Sequence, residues 1–132
     1  MKYVKRSSLN ASEVAQIRRR SNGYIWAVLD TSKNTIAIGD EYLIDLRDAL
    51  IYKYRSRAKD LFGIGLDLAT GEIYYAQVVN RINKTYRDRK DIPLQIKDRI
   101  ETMVAYYFEK FAPFRTKTER IYQTQSLQAS SC

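Results

Sequence analysis

Phe62-Gly63-Ile64-Gly65-Leu66-Asp67-Leu68 carries its apolar side chains strictly on alternate positions, and this stretch decides the fold. Successive side chains of a strand point to opposite faces. Phe62, Ile64, Leu66 and Leu68 therefore line one face, while Gly63, Gly65 and Asp67 fall on the other. Ala69-Thr70-Gly71 supplies a hairpin loop with a glycine for a positive φ, and Glu72 to Asn80 returns as the paired strand. Upstream, Tyr24-Ile25-Trp26-Ala27-Val28-Leu29 is β-rich and apolar on both faces. It is followed by turn residues at Asp30 to Asn34 and a second apolar stretch, Thr35 to Ile38, which predicts another hairpin.

Helical periodicity frames these hairpins. Leu43, Leu46, Leu50 and Tyr54 recur at helical spacing, with Ile44 and Ile51 widening the stripe, so a helix is expected over about 42–54. Near the start, Asn10 and Glu13 have capping-box spacing and Leu9 can staple onto Val14. That helix runs to Arg20 and closes at Ser21-Asn22-Gly23. Ile96, Ile100, Met103, Val104, Tyr107, Phe108 and Phe111 form a third helical face, ended by Pro113. The order α-ββ-α-ββ-α suits an α+β domain with a single four-stranded sheet and helices packed on one face. This domain spans 1–122, and the polar residues 123–132 are expected to be a disordered tail. The expected core is Trp26, Val28, Ile36, Ile38, Leu46, Leu50, Ile64, Leu66, Val79, Ile100, Val104 and Phe108.

Composition limits the chemistry. The chain has 132 residues, enough for one core, and 23 basic against 15 acidic side chains leave a net charge of +8, which favours anionic partners. With no histidine, Ser-His and Cys-His nucleophile pairs and His-ligated metal sites are excluded. Cys132 stands alone, so no disulfide, zinc knuckle or redox pair forms within one chain, and no cofactor is expected. Met1 to Ser8 has a positive start with no apolar stretch behind it. The longest apolar runs, Tyr24 to Leu29 and Met103 to Phe108, are too short to span a membrane. A cytoplasmic protein without a membrane partner is the expectation.

The strongest binding candidate is the loop Arg81-Ile82-Asn83-Lys84-Thr85-Tyr86-Arg87-Asp88-Arg89-Lys90. Arg81, Lys84, Arg87, Arg89 and Lys90 face one acid, with Asn83 and Tyr86 interleaved. Cationic groups neutralise phosphates and an aromatic face stacks an unpaired base, a composition suited to RNA or single-stranded DNA. Two further basic stretches, Arg18-Arg19-Arg20 and Arg55-Ser56-Arg57-Ala58-Lys59, make one footprint with it if they gather at one edge of the sheet. The expected function is non-catalytic nucleic-acid binding, and the alternative is an interaction module whose basic face meets an acidic protein partner.

The 11 tyrosines divide between roles. Tyr24 and Tyr107 read as core or boundary residues, whereas Tyr52, Tyr74 or Tyr75 can form a stacking platform, because one of Tyr74 and Tyr75 must leave the core side. Gly65 to Ala76 is superficially similar to the first hairpin of ribonuclease-H-like nucleases and sugar-kinase-type ATPases. Such two-metal sites need carboxylates from later strands, and only a basic loop and one helix follow here. Glu41 and Asp45 lie four apart at a helix start, where acids favour the positive end of the dipole.

Two resemblances bear on the function. Ala27-Val28-Leu29-Asp30, Ile36-Ala37-Ile38-Gly39, Glu41 and Asp45, Asp60-Leu61-Phe62-Gly63-Ile64, an Asn- and Arg-rich loop and a closing amphipathic helix resemble a small bacterial domain family of unknown function, over roughly 1–111. In size, charge and tyrosine content, though not in order of elements, the chain is also similar to ribosome-dependent mRNA interferase toxins. That likeness implies a histidine-free ribonuclease in which Arg81, Lys84, Tyr86 and Arg87 stabilise the phosphorane and move protons.

Overall fold

The computed structural model describes residues 2–39, 42–76, 92–111 and 113–114. In chain order these form β1 (Lys2–Lys5), α1 (Ala11–Arg20), β2 (Tyr24–Asp30), β3 (Thr35–Gly39), α2 (Leu43–Tyr54), a 3₁₀ turn (Ala58–Asp60), β4 (Leu61–Asp67), β5 (Ile73–Tyr75) and α3 (Leu94–Tyr107). The fold is α+β: an open antiparallel sheet ordered β1-β3-β2-β4-β5, with three helices.

The expected four strands become five, because β1 pairs along β3, Lys2 opposite Gly39 and Lys5 opposite Ile36. Tyr3 and Val4 favour a strand, but four residues with the two apolar ones adjacent show no alternation to read, and pairing with a buried neighbour supplies the order.

The helices also pack on both faces rather than one, and topology gives the reason. β1 and β2 both run antiparallel to β3, so β1-α1-β2 is a parallel crossover; β3 and β4 both run antiparallel to β2, so β3-α2-β4 is another. The two crossovers advance the same way across the sheet, but their strands point in opposite directions. Right-handed connections then put α1 and α2 on opposite faces.

The core is accordingly two clusters. On one face Val14 and Ile17 of α1 and Ile100, Val104 and Tyr107 of α3 cover Ile25, Ala27, Leu29, Ile36, Ile38, Phe62, Ile64 and Leu66. On the other, Leu46 and Leu50 of α2 cover Val28, Ala37 and Leu61. Ten of the expected core residues are buried. Trp26 is not: it is 36% exposed, on the α2 face beyond the helix. Val79 lies outside the described residues.

Local chemistry fixes the ends of elements. Asn10 Oδ1 accepts from Glu13 N at 2.8 Å and Glu13 Oε1 accepts from Asn10 N at 2.9 Å, the capping box that starts α1. Gly71, at φ +78°, closes the β4–β5 turn. The third helix ends at Tyr107, well short of Pro113. Phe111 N bonds Phe108 O and Phe114 N bonds Phe111 O, and these tight turns bring three buried rings together, with centroids 5.8 and 5.5 Å from that of Phe108. The returning strand is described only as Ile73–Tyr75, and the tail 123–132 lies outside the described residues. No helix among the described residues is long and apolar enough to cross a membrane.

Candidate nucleic-acid interface

The β2–β3 turn joins three parts of the chain. Asp30 is fully buried, its Oδ1 accepting from Ser32 N and Lys33 N, both at 2.9 Å. Thr31 N and Oγ1 donate to Asp60 O, and Lys33 Nζ donates to the carbonyls of Tyr54 and Arg55 at 2.9 Å, capping the end of α2. From the other side, Arg99 of α3 reaches the same turn: Nε donates to Thr31 O at 2.7 Å and an Nη to Asn34 Oδ1. These bonds use two of the five guanidinium donors and fix the plane of the group.

Between the turn and α3 lies a cavity of about 460 Å³, lined by Arg6, Asn34, Arg99, Thr102, Met103, Tyr106 and Tyr107. The spacing of Arg99, Thr102 and Tyr106 puts them on one face of α3, and Arg6 follows β1 directly. Among the described residues neither Arg6 nor Arg99 forms an ion pair with a carboxylate. Tyr106 is 47% exposed, whereas Tyr107 is buried and donates to Asn34 O. Burial, with Tyr106 beside it, pushes the Tyr107 phenol up to about 12 against the pull of Arg99 and Arg6. It therefore stays a neutral donor beneath two cations.

The expected basic stretches divide. Arg55, Arg57 and Lys59 lie between α2 and β4, at the sheet end where Asp30 faces Leu61, and so share the end that carries Arg6, Lys33 and Arg99. Arg18, Arg19 and Arg20 finish α1 just before Tyr24, which pairs with Asp67 at the opposite end of β2, roughly 20 Å away at strand rise. Arg18 stacks over the Phe111 ring, 5.1 Å from its centroid. Arg81, Asn83, Lys84, Tyr86, Arg87, Arg89 and Lys90 lie outside the described residues. Arg6, Arg99 and Tyr106 were not singled out from the sequence. The i, i+3, i+7 spacing of Arg99, Thr102 and Tyr106 on the polar side of an amphipathic helix is the signal that marks them.

A second surface lies on the α2 face beyond the helix. Trp26 pairs with Gly65, and Gly65 with Tyr74, so the two rings flank a glycine across three strands. Tyr24 leans over that glycine: a Cβ built there would overlap its hydroxyl and ring. The Tyr24 and Trp26 rings meet edge to face at 5.3 Å, and Tyr24 lies 6.1 Å from Tyr74. Of the expected platform residues, Tyr52 is exposed on α2, Tyr74 leaves the core side of β5 and Tyr75 packs against the core. Tyr74 donates to Glu72, and Asp67 Oδ1 accepts from Ala69 N and Thr70 N. Asp67 thus organises the turn, a structural use, and no three His, Cys, Asp or Glu side chains gather as a metal site among the described residues. Asp45 sits in the first turn of α2, while Glu41 lies outside the described residues.

No family model, curated protein or solved structure matches the chain, so the resemblances drawn from the sequence rest on its own residues alone.

Proposed function

We propose that the protein is a non-catalytic binder of single-stranded nucleic acid, RNA foremost, and that the strand crosses the sheet end built around the β2–β3 turn. One observation carries this reading: the guanidinium groups of Arg6 and Arg99, without carboxylate partners among the described residues, converge on a tyrosine-lined cavity. Guanidinium offers paired N–H donors to phosphate oxygens, and Arg99 is held in place by Thr31 and Asn34 before any ligand arrives. The half-exposed Tyr106 ring gives an unpaired base a face to stack on. Lys33, Arg55, Arg57 and Lys59 at the same end extend the positive surface for neighbouring phosphates.

A fluorescence-anisotropy titration at low salt, using labelled hexauridylate, the matching single-stranded DNA and a DNA duplex, tests the reading. It expects saturable binding to the single strands, weakened by Arg6→Ala and by Arg99→Ala, with the RNA recovered uncut. No binding to any of the three would instead favour an interaction module for an acidic protein. Cleavage of the RNA would favour the ribonuclease alternative.

A further inference from the structure

We propose a second binding surface of opposite polarity: the aromatic band Tyr24, Trp26 and Tyr74, flanked by Asp67 and Glu72, receives arginine or lysine side chains of a basic peptide segment. The surface and its ligand are independent of the nucleic-acid reading.

Adjacency singles the band out. Tyr24, Trp26 and Tyr74 are 39%, 36% and 43% exposed on one continuous stretch of sheet, next to the part of that face which α2 buries. Gly65 of β4 leaves room for the Tyr24 ring to lie over the strand, so the rings form the surface. Their π faces are electron-rich and attract guanidinium and ammonium groups.

Charge decides the class of ligand. The chain as a whole is +8, and Arg18 to Arg20 finish α1 at this end of β2, but α1 packs on the opposite face of the sheet and the aromatic face itself is bordered by two carboxylates, Asp67 and Glu72. Asp67 spends one oxygen on the turn amides, and Glu72 accepts the Tyr74 hydroxyl through one oxygen. Both tyrosines are held neutral: burial and then Asp67 raise the Tyr24 phenol, while the hydrogen bond to Glu72, before the other contributions, raises that of Tyr74. A phosphate stacked here would meet both carboxylates at close range, whereas a cationic side chain gains from the rings and from the acids together.

Trp26 is the only tryptophan, so its emission reports on this face alone. The experiment titrates tetra-arginine amide into the full-length protein and follows tryptophan fluorescence. A saturable change is expected, weakened roughly fivefold by Asp67→Asn with Glu72→Gln, which keep the turn and Tyr74 acceptors, and by a similar factor in Tyr74→Ala. The proposal is overturned by no change with peptide, by an unaltered response in the double variant, or by a change produced by hexauridylate in place of the peptide. A shift that follows protein concentration alone would also overturn it, by assigning the band to a second copy of the chain. Hexauridylate binding measured by anisotropy is read separately, so each surface can fail without the other.

Discussion

Ser56 Oγ donates to Asp30 Oδ2 at 2.6 Å, a bond between two buried side chains that fastens the segment after α2 to the β2–β3 turn. Asp30 spends its other oxygen on the amides of Ser32 and Lys33, so one carboxylate orders both flanks of the cationic end. Ser56→Ala should cost about 2 kcal/mol, the range for a hydrogen bond to a charged group, and Asp30→Ala more, because it also strands two turn amides. Urea denaturation measures both. Midpoints close to that of the parent would show that the turn is held by other contacts.

Tyr24 occupies the space above Gly65 that a side chain would need. Gly65→Ala should therefore displace the ring and cost on the order of 1–3 kcal/mol, and the penalty should shrink when Tyr24→Ala is already present. A double-mutant cycle in urea reads the coupling. Additive effects would contradict the close approach.

The folded state holds the Tyr107 proton to about pH 12, while an unfolded tyrosine loses its proton near pH 10. Between those values the unfolded chain binds fewer protons, so stability is full below about pH 10 and falls as pH rises toward 12. Loss of the proton also removes the donor to Asn34 O. Urea midpoints measured from about pH 9.5 to 11.5 should drop more steeply for the parent than for Tyr107→Phe. Parallel curves would place the alkaline loss in other groups.

What was legible in the sequence is what near neighbours dictate. The alternation at Phe62 to Leu68 and the Asn10–Glu13 capping box read directly, because each depends on residues within a turn or a pleat of one another. The side on which α2 packs was not readable: its stripe of Leu43, Leu46 and Leu50 fits either face, and only the strand order and crossover handedness decide. Trp26 misled for a related reason, since Tyr24 to Leu29 is apolar on both faces and the extent of α2 determines which residues it covers. The cavity was hidden because Arg6 and Arg99 come from the two ends of the described chain and meet only through the β2–β3 turn.

The most direct test of a nucleic-acid site at this turn is the salt dependence of hexauridylate binding. Each phosphate neutralised on a single strand contributes about −0.7 to the slope of log K against log salt concentration. The parent should give a slope of roughly −2 or steeper, corresponding to about three contacts, and Arg6→Ala and Arg99→Ala should each make it shallower by about 0.7. Arg19→Ala, at the opposite end of β2, should leave it unchanged. A salt-independent affinity, or a slope that neither Arg6→Ala nor Arg99→Ala alters, would contradict the assignment.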